Sequence, residues 1–131
     1  MQVNVQFGHA AYQQGQVGSA DPVRIIVLLY EGALRFIGQA QVRWSEPAAR
    51  GTALGRAHRI ISELLISLDH ERGGEIAENL RRLYNFSLDE ITRANLEASA
   101  RPLDGVVNVL RELLAGWQSI EEKARTERLT P

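Results

Sequence analysis

Asp69-His70-Glu71 is the densest run of chemistry-bearing side chains, a histidine set between two carboxylates. If the three converged, such a triplet could hold a cation or relay a proton. Adjacent residues on a helix point apart, however, so a solvated cluster at a helix end is the expected arrangement. His9 and His58 stand alone, and no histidine has a glutamate three residues before it, the spacing used by di-iron bundles. Gly73-Gly74 lacks the further glycine, lysine and Ser/Thr of a phosphate loop, so a helix cap is its expected role. None of the 7 serines sits in a nucleophile-elbow context. With no cysteine, disulfides, zinc–thiolate sites and thiol chemistry are excluded. Neither a catalytic centre nor a cofactor is expected, which leaves binding as the chemistry to look for.

Bulk properties narrow the partners. The 131 residues suit one domain with its own core, and 44% hydrophobic content argues against wholesale disorder. A net charge of −1 gives no footprint for nucleic acid, and the densest basic spot is only Arg81-Arg82. The longest apolar run, residues 25–30, is far short of a membrane span, and no secretory signal is visible at the polar start. A cytoplasmic protein that does not insert in membranes is expected.

Four helical segments carry this chain. Asp21-Pro22 is a capping residue followed by a first-turn proline, and apolar spacing continues through Ala33, Leu34, Ile37, Ala40 and Trp44. This predicts a helix over 22–44, ending near Pro47. A second is predicted over 53–71, capped by Thr52 and stopped at Gly73-Gly74, a third over 75–99, and a fourth over 102–126 opened by Pro102. Short connections favour an all-α, antiparallel up-down-up-down four-helix bundle. Residues 1–20 read as a mobile arm, dispensable for the core because the four apolar stripes begin after Pro22.

The first helix has more apolar surface than a bundle uses. At steps of about 100° per residue, Ile26, Leu29, Tyr30, Ala33, Ile37, Ala40 and Trp44 share the expected core face. Ile25, Leu28, Gly32 and Phe36 form an adjacent stripe. Two readings fit: the arm covers this stripe, or the stripe is a groove for an amphipathic partner that Gly32 lets approach closely. A removable lid satisfies both. On the third helix Asn79 and Asn95 border apolar rows, Asn79 beside Leu83 and Phe86 and Asn95 beside Tyr84, Leu88 and Ile91; they are either solvated or polar anchors.

Several stretches now bear on identity. They are Ala11-Tyr12-Gln13-Gln14, then Pro22, then 28–34 (LLYEGAL), 73–80 (GGEIAENL), Leu83-Tyr84, Ala94-Asn95-Leu96 and Trp117. In that order and spacing, the chain resembles the flagellin-specific export chaperones of bacteria, the FliS family. The resemblance implies an antiparallel four-helix bundle whose client is the disordered C-terminal segment of flagellin, wrapped around it in apolar grooves. Such chaperones prevent premature polymerisation and help deliver flagellin to the export gate of the flagellar type III apparatus, without nucleotide. Carried onto this sequence, the groove is expected at Ile25, Leu28, Gly32, Phe36, Asn79, Leu83, Tyr84 and Asn95. Tyr12, Gln13 and Gln14 are expected to form a lid or to touch the cytoplasmic domain of the gate. Asp21 replaces the family's usual Ser/Thr before the proline and Glu31 its usual Asp, preserving capping and charge respectively.

Overall fold

A computed structural model describes Tyr12 and residues 22–129, with side chains through 127. Asp21, Gln13, Gln14 and the rest of the expected arm lie outside these residues. Four helices follow in order: α1 Pro22–Val42, α2 Pro47–Ile66, α3 His70–Glu97 and α4 Leu103–Leu129.

Contacts at the bundle ends fix the directions. Arg24, at the start of α1, reaches Glu121 late in α4 at 3.3 Å. Trp44, just past α1, donates its Nε1–H to the Ala98 carbonyl after α3 at 3.4 Å. Arg50, early in α2, donates Nε–H to Asn95 Oδ1, late in α3, at 3.2 Å. Helix directions therefore alternate, and each helix packs on its neighbours in a closed ring, most extensively α1 on α2 and least α3 on α4. This is the four-helix bundle that the periodicity predicts.

The predicted boundary between the second and third helices is wrong, for a physical reason. Helix α2 starts at Pro47 rather than at 53, because proline's fixed φ suits the first helical position and Ala48, Ala49 and Gly51 add no bulk. Glu46 stays extended before the proline, at φ −107° and ψ 96°. Gly73-Gly74 does not terminate α2. That helix ends at Ile66, and Asp69 opens α3 by accepting the Arg72 backbone N–H at 3.0 Å. The Asp-His-Glu run is thus a helix start. Gly74 bends α3 internally, at φ 51° and ψ −124°, a combination open essentially to glycine alone.

Helix α1 is also long and apolar enough to cross a membrane by length and composition, contrary to what its six-residue run suggests. Its core face is nevertheless packed inside the bundle: Val27, Tyr30, Ala33, Ile37 and Ala40 are inaccessible. That face is rotated slightly from the predicted one. Val23 and Val27 join the core, whereas Leu29 and Trp44 are only half-buried against it. Large side chains from all four helices fill the centre, including Leu54, Ile61, Leu80, Ile91, Leu110 and Trp117.

Among the described residues, Tyr12 adds to the core from before α1. Tyr12 is buried, and its backbone forms an isolated antiparallel bridge to Leu68 in the α2–α3 connection. Its ring meets Trp117 of α4 edge-on, with centroids 5.6 Å apart and planes at 62°. The expectation that residues 1–20 leave the core untouched is therefore corrected at this position.

Candidate functional site

Among the described residues, exposed apolar side chains stand beside the expected site residues on α1 and on α3, while Val42, Ile66 and Leu96 are exposed at helix ends. On α1, Leu28 is half exposed, with Ile25 and Phe36 partly exposed along the same side. Gly32 in the middle of this stripe is buried, because α2 runs directly over it. A methyl group there would meet Ile60 Cδ1 at 3.3 Å, so the glycine admits α2 rather than a client backbone. Phe36 lies at the same α1–α2 seam, with the guanidinium carbons of Arg35 and Arg56 at 5.5 and 5.6 Å from its ring centroid.

On α3, Asn79, Leu83 and Phe86 fall on one side by helical spacing. Asn79 and Leu83 are half-buried, and exposed Phe86 lies over Gly105 of α4, where a methyl group would meet its ring at 3.3 Å. Phe86 is absent from the expected site, although its spacing from Leu83 would have included it. The expected site residues thus do not form one groove. They divide between α1 and α3, which stand diagonally in the ring, and any segment touching both must pass around the bundle.

Two of the expected groove residues have other roles. Asn95 is partly buried and holds Arg50, whose Nη1–H is also donated to the Trp44 carbonyl at 3.0 Å while its guanidinium stacks 4.9 Å from the Trp44 ring. That knot ties the α1–α2 turn to the end of α3. Tyr84 is wholly buried, and its hydroxyl lies 2.5 Å from both the Tyr12 and the Tyr30 hydroxyls. It is a core residue.

The three phenols form a buried polar chain. Burial is the main cause that pushes Tyr12, Tyr30 and Tyr84 well above the usual phenol range, and neighbouring phenols add to it. Three O–H donors share two contacts, so one hydrogen has no acceptor within the chain whichever way the bonds point. The Trp117 N–H is close enough to Tyr30 to favour its ionised form, yet its Nε1 makes no geometrically sound hydrogen bond. Tyr84→Phe should cost about 2 kcal/mol of stability, since it strands the two outer hydroxyls. Tyr12→Phe leaves the Tyr30–Tyr84 bond and should cost about half as much. Urea unfolding of both variants checks the order.

Tyr12 does not cover the α1 stripe. It is inserted against α3 and α4 instead, and its side chain can reach neither a client nor an export gate without leaving the core.

Comparison with known proteins gives these surfaces a context. The family described as "Flagellar protein FliS" matches residues 6–124. The chain belongs to the FliS family. Its similarity to curated members extends over nearly the whole chain. It is 37% identical over 122 residues to the flagellar secretion chaperone FliS of Campylobacter jejuni, covering 92% of this chain and 94% of that protein. It is 38% identical over 115 residues to the flagellar secretion chaperone FliSB of Pseudomonas aeruginosa, covering 83% and 91% respectively. Against FliS of Salmonella typhimurium the identity is 35% over 124 residues, covering 89% and 92%. Such full-length similarity places this FliS bundle, with its two diagonal apolar surfaces, among proteins named for secretion chaperoning.

Proposed function

We propose that this FliS protein is a cytoplasmic secretion chaperone that binds the disordered C-terminal segment of flagellin. It thereby prevents premature polymerisation and presents flagellin to the export gate. The observation that carries this reading is Leu28: it stands half exposed on a helix whose opposite face is completely buried. With the partly exposed Ile25 and Phe36 it gives α1 a second apolar side beyond the one its core uses. The client reaches both the α1 stripe and the Asn79–Leu83–Phe86 side by wrapping around the helices. Ordering a disordered segment costs about 2–5 kcal/mol, and burial of apolar surface at both places offsets it. Asn79 and Asn95 supply polar contacts that fix register, Asn95 with the capacity left over from Arg50.

Leu28→Asp tests the assignment. It removes no core contact, so unfolding midpoints should shift by no more than about 0.5 kcal/mol equivalent. Affinity for the flagellin segment should fall roughly 30-fold or more, because an unpaired carboxylate would be buried in an apolar contact. Unchanged affinity would remove the α1 stripe from the client surface.

A further inference from the structure

Arg24, Arg43, Arg81, Arg82, Arg93 and Arg125 each have a carboxylate within 4.0 Å. On α3 and α4, Arg81, Arg93 and Arg125 each bind the glutamate three residues earlier, the first two pairs at 2.6 and 2.8 Å. Arg24 is paired with Glu121, and Arg50 is occupied by Asn95 and Trp44. At the α1–α2 seam, two arginines without such a partner meet on one aromatic ring. Among the described residues, no carboxylate lies within ion-pair distance of Arg35 or Arg56, and Arg43 has only Glu46 at 3.8 Å.

Geometry concentrates these unmatched charges. Arg35 from α1 and Arg56 from α2 are both held against the Phe36 ring, which restricts their motion without neutralising them. An open cavity of about 310 Å³ adjoins Arg56, which lines it together with Gln39, Arg43, Thr52 and Ala53. Its walls therefore offer two guanidinium groups, an amide and a hydroxyl, and its floor is small and apolar. No segment before Asp21 can supply the missing anion, because the first 20 residues contain neither Asp nor Glu.

We infer that the Arg35–Phe36–Arg56 seam and the cavity beside it anchor an acidic side chain of the bound client. The inference rests on the chaperone reading above and adds a specificity element to it. Apolar side chains of the client lie along Ile25, Leu28 and Phe36. An Asp or Glu further along the same segment enters between the guanidinium groups, where a forked donor matches a carboxylate. Apolar burial is tolerant of sequence, whereas this contact ties the segment to one register.

Calorimetric titration with a peptide covering the C-terminal segment of the cognate flagellin tests it. Wild type, Arg35→Gln/Arg56→Gln and Arg35→Lys/Arg56→Lys are compared at two salt concentrations, with circular dichroism confirming the fold of each. The Gln variant should bind roughly tenfold more weakly with a flatter salt dependence, and the Lys variant should recover only part of the loss. A peptide with every Asp and Glu changed to its amide should lose the same factor, and the Gln variant should lose nothing more on it. If amidating the peptide's C terminus alone reproduces the loss, the side-chain assignment is overturned in favour of the terminal carboxylate. Equal affinity and equal salt dependence for wild type and Gln variant overturn the anchor while leaving the chaperone reading intact. Failure of the wild type to bind overturns both.

Discussion

Above about pH 10 the protein should lose stability at about 4 kcal/mol per pH unit, a steepness set by the buried phenols. Tyr12, Tyr30 and Tyr84 are the only tyrosines in the chain, and all three belong to one buried cluster. Burial, reinforced by the neighbouring phenols, raises their ionisation well above the ordinary value. The unfolded chain therefore releases its phenolic protons first. Below about pH 10 both states are neutral, and the stabilising contribution is fully present. As pH rises beyond that, each phenol favours the unfolded state by about 1.4 kcal/mol per unit, until the folded phenols ionise in turn. Urea midpoints from about pH 8 to 11.5, read by circular dichroism beside tyrosinate absorbance, measure it. Native helicity persisting while all three tyrosines ionise would contradict the buried cluster.

Trp117→Ala should cost about 3–5 kcal/mol, the range for removing a large aromatic from a core. Trp117 is inaccessible, and it carries the Tyr12 ring on its edge. Its removal opens a cavity and also deprives Tyr12 of its support, so the two residues should be energetically coupled. In a double-mutant cycle, Tyr12→Ala should cost much less on the Trp117→Ala background than alone. Additive losses would mean that Tyr12 holds its place through the hydroxyl chain only. Trp117→Phe retains an aromatic edge and removes an indole N–H that has no acceptor, so it should be far milder.

The helices themselves are legible because their apolar spacing is repeated over many turns. Pro22 marks the start of α1 as expected, whereas the α2–α3 boundary falls elsewhere than the glycine pair suggests. Such a pair is the usual chemistry of a helix end, and Gly74 does break the helix, but it separates the first turn of α3 from the rest of α3 rather than α2 from α3. The stripe on α1 is legible as surplus apolar surface, and Leu28 is indeed open. The role of Gly32 is not, since periodicity places a residue on a side of its own helix and cannot tell whether α2 crosses there. Tyr84 and Tyr12 are hidden for a related reason. Two polar-tipped side chains 72 positions apart bury each other's hydroxyls, and no local pattern records such a match. The knot of Trp44, Arg50 and Asn95 is equally beyond reach, because it joins three separate elements.

Calorimetric titration of the wild-type protein with flagellin tests the central claim most directly, using intact flagellin and flagellin lacking its C-terminal segment at several temperatures. The account predicts saturable binding of the intact chain with a negative heat-capacity change, the mark of buried apolar surface, and a gain in helicity as the segment orders. Removing the segment should abolish all three signals. Equal binding of the two flagellins, or no binding of either, would contradict the account.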